Sequence, residues 1–434
     1  MTDNLYKKFL IESFGIRPAV LEKIGECEKE LEERFKYHDD VCSVNQLKVL
    51  QAFQENRVSD THFGWNTGYG YDDAGRDAVE RVFAGVFHTE AALVRPNIVN
   101  GTHAIATALF GLLKPGDELI YVTGAPYDTL ETVIGKHKES PEFLGTILDY
   151  GILYREVPLQ ADGDVDLDAI LASIGEKTRV VAMQRSTGYD WRPAISLSSI
   201  RKITEAVHER FPDVLTFADN CYGEFVDTME PTDFGTDVIA GSLIKNPGGG
   251  LALSGGYIAG RKDLIDRISY RLTCPGIGAE CGLTFGQNRT ILQGLFLAPK
   301  VTNAAVKGAL LCGVLYDSLG YEVCPAAHAE RSDIVQAIKF KDRDKCIAFC
   351  QAVQSSSPID AYVTPIPWAM PGYQDEVIMA SGSFVQGSSI ELSADAPLRD
   401  PYIAYFQGGL TFEHAKFGLI KSLDTLVKRG LIQI

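Results

Sequence analysis

Short apolar runs that alternate with helix-like segments dominate residues 91–260 of this 434-residue chain. A helical stretch from Thr102 to Leu113 lies between the first two runs. The strand-like runs occupy 91–95, 118–122, 178–183, 214–219, 238–242 and 255–259. Strands that are apolar on both sides and alternate with helices are typical of a mainly parallel sheet covered on both faces. The sequence therefore predicts an α/β fold here.

The segments on either side have different patterns. Residues 1 to about 55 carry apolar side chains at helical spacing, whereas residues 60–76 are rich in Gly, Tyr and Asp and indicate a loop. Beyond residue 300, long helices and separated strands suggest a smaller α+β domain. We therefore expect an N-terminal helical segment at 1–60, a large domain at 61–300 and a small C-terminal domain at 301–434.

Charge and apolar content argue against several classes of partner. The chain has 41 Lys and Arg and 57 Asp and Glu, a net charge of −16, which repels nucleic acid and anionic membranes. No uninterrupted apolar stretch approaches the roughly 18–20 residues that span a bilayer, and no signal-peptide pattern is visible. Cys346 and Cys350 fit one helical turn better than a zinc site. We expect a cytoplasmic protein without a metal.

Ligands of open parallel sheets bind at the carboxyl ends of the strands. After the first strand, Asn100-Gly101-Thr102-His103 opens a helix whose free N–H groups and positive dipole end can hold a phosphate. The alternative is a capped helix without a ligand, with Thr102 as the N-cap.

Two further strand ends carry chemically informative residues. Asp219 follows an apolar strand and is either a turn former or a buried carboxylate that pairs with a protonated cofactor ring. Lys245 follows another strand and is either solvated or placed where desolvation lowers the pKa of its amine and favours imine formation. A phosphate-holding helix start, Asp219 and Lys245 in this order are typical of a pyridoxal-phosphate enzyme of the aspartate aminotransferase fold.

Six long stretches resemble one known family. They are GYGYDDAGRD (68–77), ALVRPNIVNGTHAI (92–105), MQRSTGYDWRP (183–193), DNCYGEF (219–225), GSLIKNPGGGLALSGGYIAG (241–260) and GSSIELSADAPLRDPYIAYFQGGLT (387–411). They look like the bacterial aluminium resistance or methionine γ-lyase-like proteins, a branch of the cystathionine-metabolism group of pyridoxal-phosphate enzymes. The resemblance implies a PLP-dependent transferase fold (aspartate aminotransferase-like, fold type I), with a mainly parallel sheet in the large domain.

The resemblance also implies roles for residues around the cofactor ring. Lys245 is expected to carry the cofactor aldehyde covalently and to act in catalysis, and Asp219 to pair with the ring nitrogen. Tyr127 resembles the aromatic residue that stacks on the ring and is counted among the catalytic residues. Ordinary core packing is the alternative for Tyr127.

The expected phosphate contacts are Gly101, Thr102 and His103, helped by Ser242, which lies three residues before the lysine as in the wider group. The residue just before the lysine is a hydroxyl-bearing side chain in many relatives. Here it is Ile244, so one phosphate contact is expected to be absent.

Related lyases donate a Tyr-x-Arg element to the phosphate of a neighbouring subunit. Tyr69, Tyr71 and Arg76 occupy the comparable region with a different spacing, and Tyr71 is our candidate cofactor contact. The resemblance therefore implies a homodimer or homotetramer with an active site shared between subunits.

Two arginines are candidates for binding the substrate α-carboxylate, because a guanidinium binds a carboxylate bidentately. Arg399 is the first, with a surface ion pair to Asp395 or Asp400 as the alternative. Arg185, at a strand end, is the second, and contact with the ring hydroxyl is its other possible role.

The resemblance implies a carbon–sulfur lyase acting on a sulfur-containing amino acid, of the methionine γ-lyase or cystathionine lyase type. Aminotransferase, aldolase and racemase remain alternatives, because they share the same negatively charged Cα. A non-catalytic binding protein that has kept the fold is a further alternative.

Overall fold

The computed structural model describes residues 2–136, 142–370 and 375–434. Its helices are α1 (Thr2–Phe14), α2 (Pro18–Glu30), α3 (Glu32–Glu55), α4 (Ala74–Val86), α5 (Gly101–Leu112), α6 (Asp128–Ile134), α7 (Leu167–Ser173), α8 (Leu197–Arg210), α9 (Lys262–Leu272), α10 (Asn288–Ser318), α11 (Arg343–Gln354) and α12 (Phe412–Lys428). Its strands are β1 (Ala91–Arg95), β2 (Glu118–Tyr121), β3 (Leu153–Glu156), β4 (Thr178–Gln184), β5 (Leu215–Asp219), β6 (Val238–Ser242), β7 (Gly256–Gly260), β8 (Glu322–Cys324), β9 (Val335–Lys339), β10 (Trp368–Ala369), β11 (Glu376–Ser381), β12 (Ser393–Pro397) and β13 (Ile403–Gln407).

Two compact units make up the chain. One comprises Ser43–Pro299, and the other comprises Met1–Cys42 together with Lys300–Ile434. The boundaries fall inside α3 and α10. These units differ from the expected division into 1–60, 61–300 and 301–434, which stays a prediction.

The unit Ser43–Pro299 contains a seven-stranded sheet in the order β1-β7-β6-β5-β4-β2-β3. The pairs β6–β5, β5–β4, β4–β2 and β2–β3 are parallel. Among the described strands of this sheet, β7 runs antiparallel to both of its neighbours, β1 and β6. The expectation of a mixed α/β fold with a mainly parallel sheet is therefore confirmed.

Both faces of this sheet are buried. Successive residues of a strand point to opposite faces, and here they enter two different apolar clusters. On β2, Ile120 belongs to one cluster, whereas Leu119 and Tyr121 belong to the other. On β4, Val181 lies in the cluster of Ile120, and Val180 lies in the cluster of Leu119 and Tyr121. This two-sided burial explains the continuous apolar runs of the sequence.

The other unit contains a six-stranded sheet in the order β10-β11-β12-β13-β9-β8, in which every pair is antiparallel. Helices α11 and α12 pack against each other, and α11 also packs on β11 and β12. Cys346 and Cys350 are buried one turn apart on α11, as expected. The strands and helices of 301–434 thus form an α+β arrangement.

The expected loop at 60–76 is shorter in the structure. A 3-10 helix occupies Asp60–Phe63, and α4 already begins at Ala74. The side chain of Asp73 caps α4 by accepting the N–H of Arg76 at 2.9 Å. The Asp-Asp-Ala-Gly sequence is therefore a helix start as well as the end of a loop.

One helix, α10, is long and apolar enough to cross a membrane by length and composition. Its most apolar window is 78% buried within the protein. A helix in a protein interior meets the same criteria, since it too is apolar on all sides.

The loop that follows β6 packs its backbone directly on α10. A Cβ atom on Gly294 would lie 2.1 Å from the carbonyl oxygen of Gly248, and one on Gly249 would lie 2.2 Å from that of Gly294. Gly249 also has a φ of +53°, in the left-handed region. These close approaches fix the loop just after Lys245, and only glycine fits them.

We predict that Gly294→Ala destabilises the protein by about 1–3 kcal/mol, because the added methyl group overlaps backbone atoms. Gly175→Ala is the matched control, since a Cβ atom there has no neighbour within 4 Å. Urea denaturation of both variants measures the effect. Equal stability of the two variants would contradict the packing of α10 on this loop.

Candidate active site

The carboxyl ends of three neighbouring strands bring polar residues to one edge of the large sheet. Gln184 ends β4, Asp219 ends β5 and Ser242 ends β6. The register pairs Gln184 with Asp219, and Asp219 with Ala240. Parallel strands share their carboxyl edge, which is why residues far apart in sequence meet here.

Asp219 is nearly inaccessible, with 3% of its surface exposed. Its Oδ1 accepts the N–H of Cys221 at 3.1 Å. Burial raises the pKa of Asp219, and the charge of Lys245 opposes this rise. The carboxylate is therefore more than a turn former, since a cation near it is needed to keep it ionised.

The start of α5 forms a small cradle beside β6. The N-cap is Asn100, whose Oδ1 accepts the N–H of His103 at 2.8 Å, so the expected alternative of Thr102 as the cap is wrong. A Cβ atom on Gly101 would lie 3.2 Å from Cβ of Ser242 and 3.3 Å from Sγ of Cys221. The structure thus brings Gly101 and Ser242 together.

Thr102 and Tyr127 meet at the same place. The hydroxyls of the two residues are 2.8 Å apart, and the backbone N–H of Tyr127 donates to Oε1 of Gln184 at 2.8 Å. Burial, followed by the charge of Asp219, raises the pKa of the Tyr127 phenol. Tyr127 is therefore a neutral hydroxyl, held by two polar contacts in addition to core packing.

His103 lies at the same helix start with an exposed side chain. Its Nδ1 lies 3.1 Å from the N–H of Val99, which donates to it. The neutral ring then carries its proton on Nε2, which makes Nε2 a hydrogen-bond donor.

Lys245 is partly buried, and its Nζ lies 4.0 Å from the centre of the Tyr222 ring. Burial lowers the pKa of its amine, but electrostatic interactions with Cys221, Tyr222, Asp219 and Tyr127 raise it, and the net pKa is above the ordinary value. The expectation that desolvation makes the free amine neutral is therefore wrong, because the neighbouring groups outweigh burial.

Arg185 lies within a buried ion-pair network. Its Nη1 donates to Oδ1 of Asn220 at 2.8 Å and to Oε2 of Glu230 at 3.3 Å. The Arg185 side chain also fills the space where a Cβ atom of Gly223 would lie, with its Cδ, Nε and Cζ atoms at 2.3–2.6 Å. Its expected contact with the substrate stays a prediction, but its hydrogen bonds support the turn after Asp219.

Arg399 lies in the other compact unit, where its exposed side chain pairs with Asp375 at 3.3 Å between Nη1 and Oδ2. The ion-pair partner is thus a third aspartate, rather than Asp395 or Asp400. Binding of a substrate carboxylate by Arg399 stays a prediction.

Tyr69 and Tyr71 are 69% and 54% exposed, and their rings stack with 5.3 Å between centroids. Arg76 is buried and donates from Nη1 to the carbonyl of Gly70 at 2.7 Å. Arg76 therefore holds the loop that presents the two tyrosines. A role for Tyr71 at a cofactor stays a prediction.

Sequence reasoning missed several residues at this edge of the sheet. Gln184 orients Tyr127, Asn100 caps α5, and Tyr222 lies against Lys245. The position of Tyr222 three residues after Asp219 was the available signal, since both belong to one short turn.

Glu224 is a fully buried carboxyl group near the same turn. The hydroxyl of Tyr257 donates to its Oε1 at 2.7 Å, and a Cβ atom on Gly241 would lie 2.7 Å from that oxygen. Burial raises the pKa of Glu224 to about 8. Burial therefore favours the protonated form of Glu224 at neutral pH.

The fold and this edge of the sheet define an α/β enzyme with a lysine, a carboxylate and a helix start in one site. The methionine gamma-lyase family model matches residues 20–427, and the chain belongs to this family. The resemblance stated from the motifs is confirmed, and so is the expectation that the protein is a lyase.

Relatives of similar length support this assignment. Protein YnbB of Bacillus subtilis (strain 168) is 49% identical over 407 residues, which cover 94% of this chain and 96% of the relative. The structure of a carbon-sulfur lyase involved in aluminum resistance from Clostridium novyi NT is 52% identical, with a TM-score of 0.92, and covers 96% of this chain and 98% of its own.

A more distant structure shares only the fold. A Campylobacter jejuni structure that carries N'-pyridoxyl-lysine-5'-monophosphate has a TM-score of 0.55 at 17% identity. The match covers 82% of this chain and 88% of that structure.

We predict that Glu224→Gln gains stability relative to the wild type as pH rises from 5 to 8. The unfolded carboxyl ionises near pH 4.5, whereas the folded one keeps its proton up to about pH 8. Wild-type stability from this group is thus full below pH 4.5 and is lost as pH rises through the folded pKa, by about 1 kcal/mol per pH unit.

Urea denaturation of the wild type and Glu224→Gln at several pH values tests this prediction. Glu33→Gln, at an exposed position on α3, is the control. A stability difference between Glu224→Gln and the wild type that does not change with pH would refute a protonated Glu224.

Proposed function

We propose that this protein is a pyridoxal-phosphate-dependent carbon–sulfur lyase that acts on a sulfur-containing amino acid. One observation carries the proposal: the start of α5, Ser242, Asp219 and Lys245 converge at one edge of the parallel sheet. The family and the aluminum-resistance lyase structure support the carbon–sulfur part. The fold type I assignment is part of the same proposal.

The residues present fit pyridoxal phosphate. The first-turn N–H groups of Gly101 and Thr102 have no acceptor within the helix. Ser242 Oγ accepts the N–H of Ile244 at 3.3 Å, which leaves the hydroxyl proton of Ser242 to donate to a phosphate. The lack of a Cβ atom on Gly101 keeps the cradle open. We expect these groups, with His103, to hold the phosphate.

The ring end of the cofactor has matching partners. Asp219 would hold a protonated ring nitrogen, since a buried carboxylate is stabilised by an adjacent cation. Lys245 would hold the aldehyde carbon through Nζ, and Tyr127 would lie against the ring. When bound, pyridoxal phosphate supplies an electron sink for negative charge at the substrate Cα.

The chain's own residues then provide proton transfer. With cofactor and substrate bound, Nζ of Lys245 would be the group that accepts the proton of Cα. The groups that raise the pKa of Lys245 would stabilise the ammonium form that this transfer produces. The thiol would leave from the β carbon directly, or from the γ carbon after a second proton has been removed from Cβ, and it would take up a proton as it leaves. Water would then hydrolyse the remaining unsaturated amine to ammonia and a keto acid.

We also propose the remaining expectations for the assembled protein. A cytoplasmic homodimer or homotetramer would place the exposed Tyr69 and Tyr71 against a neighbouring subunit, which would give these large aromatic rings a burial partner. Arg399 is the proposed contact for the substrate carboxylate, with Arg185 as the second candidate.

We predict that borohydride reduction in the presence of pyridoxal phosphate labels Lys245 and that Lys245→Ala loses the label. The reason is that only an amine bound to the aldehyde carbon is fixed by reduction. Peptide mapping by mass spectrometry locates the label. Labelling of another lysine in the wild type would overturn the site assignment.

We predict that the wild type releases a thiol and a keto acid from cystathionine, methionine or cysteine. Asp219→Asn is expected to lower this turnover by about 100-fold or more, because it removes the charge that supports the ring nitrogen. Product analysis over a panel of amino acids measures the products of the wild type and the turnover of Asp219→Asn.

Other products would decide against a lyase. Accumulation of the pyridoxamine form would indicate an aminotransferase, glycine with an aldehyde would indicate an aldolase, and inversion at Cα would indicate a racemase. A protein that binds no pyridoxal phosphate would indicate a non-catalytic relative.

A further inference from the structure

The turn after β5 holds an aromatic side chain in an unfavourable backbone conformation. Tyr222 has a φ of +70°, in the left-handed region that bulky residues rarely adopt. Such strain persists only where the surroundings impose it, and it concentrates at functional sites.

Buried hydrogen bonds impose this conformation. The N–H of Gly223 donates to the carbonyl of Asn220 at 3.0 Å, which closes the turn. Glu230 accepts the N–H of Phe225 at 3.0 Å and the side-chain amide of Asn220 at 3.0 Å. The ion pair of Arg185 with Glu230 anchors the same turn. The turn is thus fixed by groups that are themselves buried.

The result of this arrangement is a contact with the lysine. The ring centre of Tyr222 lies 4.0 Å from Nζ of Lys245, within the range of a cation–π interaction. The other groups that act electrostatically on Lys245 are Asp219, Cys221 and Tyr127. Asp219 and Cys221 precede Tyr222 on the same segment, whereas Tyr127 approaches from the start of α6.

We infer that Tyr222 is a positioning residue for Lys245, whose ring face stabilises the ammonium form of the lysine amine within the site. The hydroxyl of Tyr222 is not required for this. The inference rests on the proposed function only in taking Lys245 as the cofactor lysine. In that reaction, the ring stabilises the ammonium group formed when Nζ accepts the Cα proton.

The test measures the proton affinity of Lys245 without using the cofactor. Full-length protein freed of cofactor is reductively methylated with formaldehyde at a series of pH values, and mass spectrometry reads the initial rate at Lys245. The rate follows the neutral amine, so its midpoint reports the pKa of Lys245. Tyr362→Phe, at an 87% exposed tyrosine, is the control.

Two substitutions at position 222 distinguish the effect of the aromatic ring face on Lys245 from the effect of the hydroxyl and from the effect of side-chain packing. Tyr222→Phe keeps the ring and is expected to have the wild-type midpoint. Trifluorophenylalanine at position 222 keeps the shape of phenylalanine but weakens the ring quadrupole, and it is expected to lower the midpoint by about half a pH unit or more. A merely structural role would not distinguish two rings of nearly the same shape.

Each outcome is informative. Equal midpoints for the two rings would overturn the inference, and so would a shift already present in Tyr222→Phe, because the hydroxyl would then be the acting group. A parallel borohydride experiment with pyridoxal phosphate tests the proposed function separately. Failure to label Lys245 would remove the lyase proposal without affecting the methylation result.

Discussion

The constraint on which this site depends is a buried carboxylate beside a lysine amine at the carboxyl edge of a parallel sheet. Removing a carboxylate from water costs several kcal/mol unless a cation lies nearby. Asp219 is 3% exposed, and the charge of Lys245 is the stabilising electrostatic interaction that acts on it. The protonated ring nitrogen of the proposed cofactor would be a second cation for the same carboxylate. The site therefore selects ligands that bring positive charge to Asp219.

The sheet explains how distant segments supply this environment. Asp219 and Ser242 end adjacent parallel strands, and α5 begins where Gly101 approaches both Ser242 and Cys221. The missing side chain of Gly101 is a geometric requirement, since a Cβ atom would fill the space between the helix and the strand. Three to four residues after Lys245 in the chain, Gly248 and Gly249 pack on α10. In sequence, the lysine thus lies between two backbone segments that tolerate little change.

Most strands of the large sheet and two central site residues, Asp219 and Lys245, could be predicted from the sequence, because the patterns that indicate them are local. Apolar runs marked the seven-stranded sheet except for β3, whose residues are mostly exposed. Asp219 and Lys245 were identifiable because each follows such a run. The antiparallel direction of β7 and the choice of Asn100 as the cap depend on neighbours in space. The ion pair of Arg185 with Glu230 joins residues 45 positions apart, and no periodic pattern indicates it.

The raised pKa of Lys245 affects two roles of its amine, attack on an aldehyde and acceptance of the Cα proton. Neighbours that favour the ammonium form make the amine a weaker nucleophile toward an aldehyde at neutral pH, since less of it is unprotonated. Once Lys245 is unprotonated, the same neighbours stabilise the ammonium group that forms when its amine accepts the Cα proton. In the proposed reaction, proton acceptance from Cα is the step that forms the negatively charged carbon. An environment of Asp219 and the Tyr222 ring therefore stabilises the ammonium product of this proton transfer, and acceptance of that proton by a base is a step that every reaction of this cofactor class beginning at Cα–H requires.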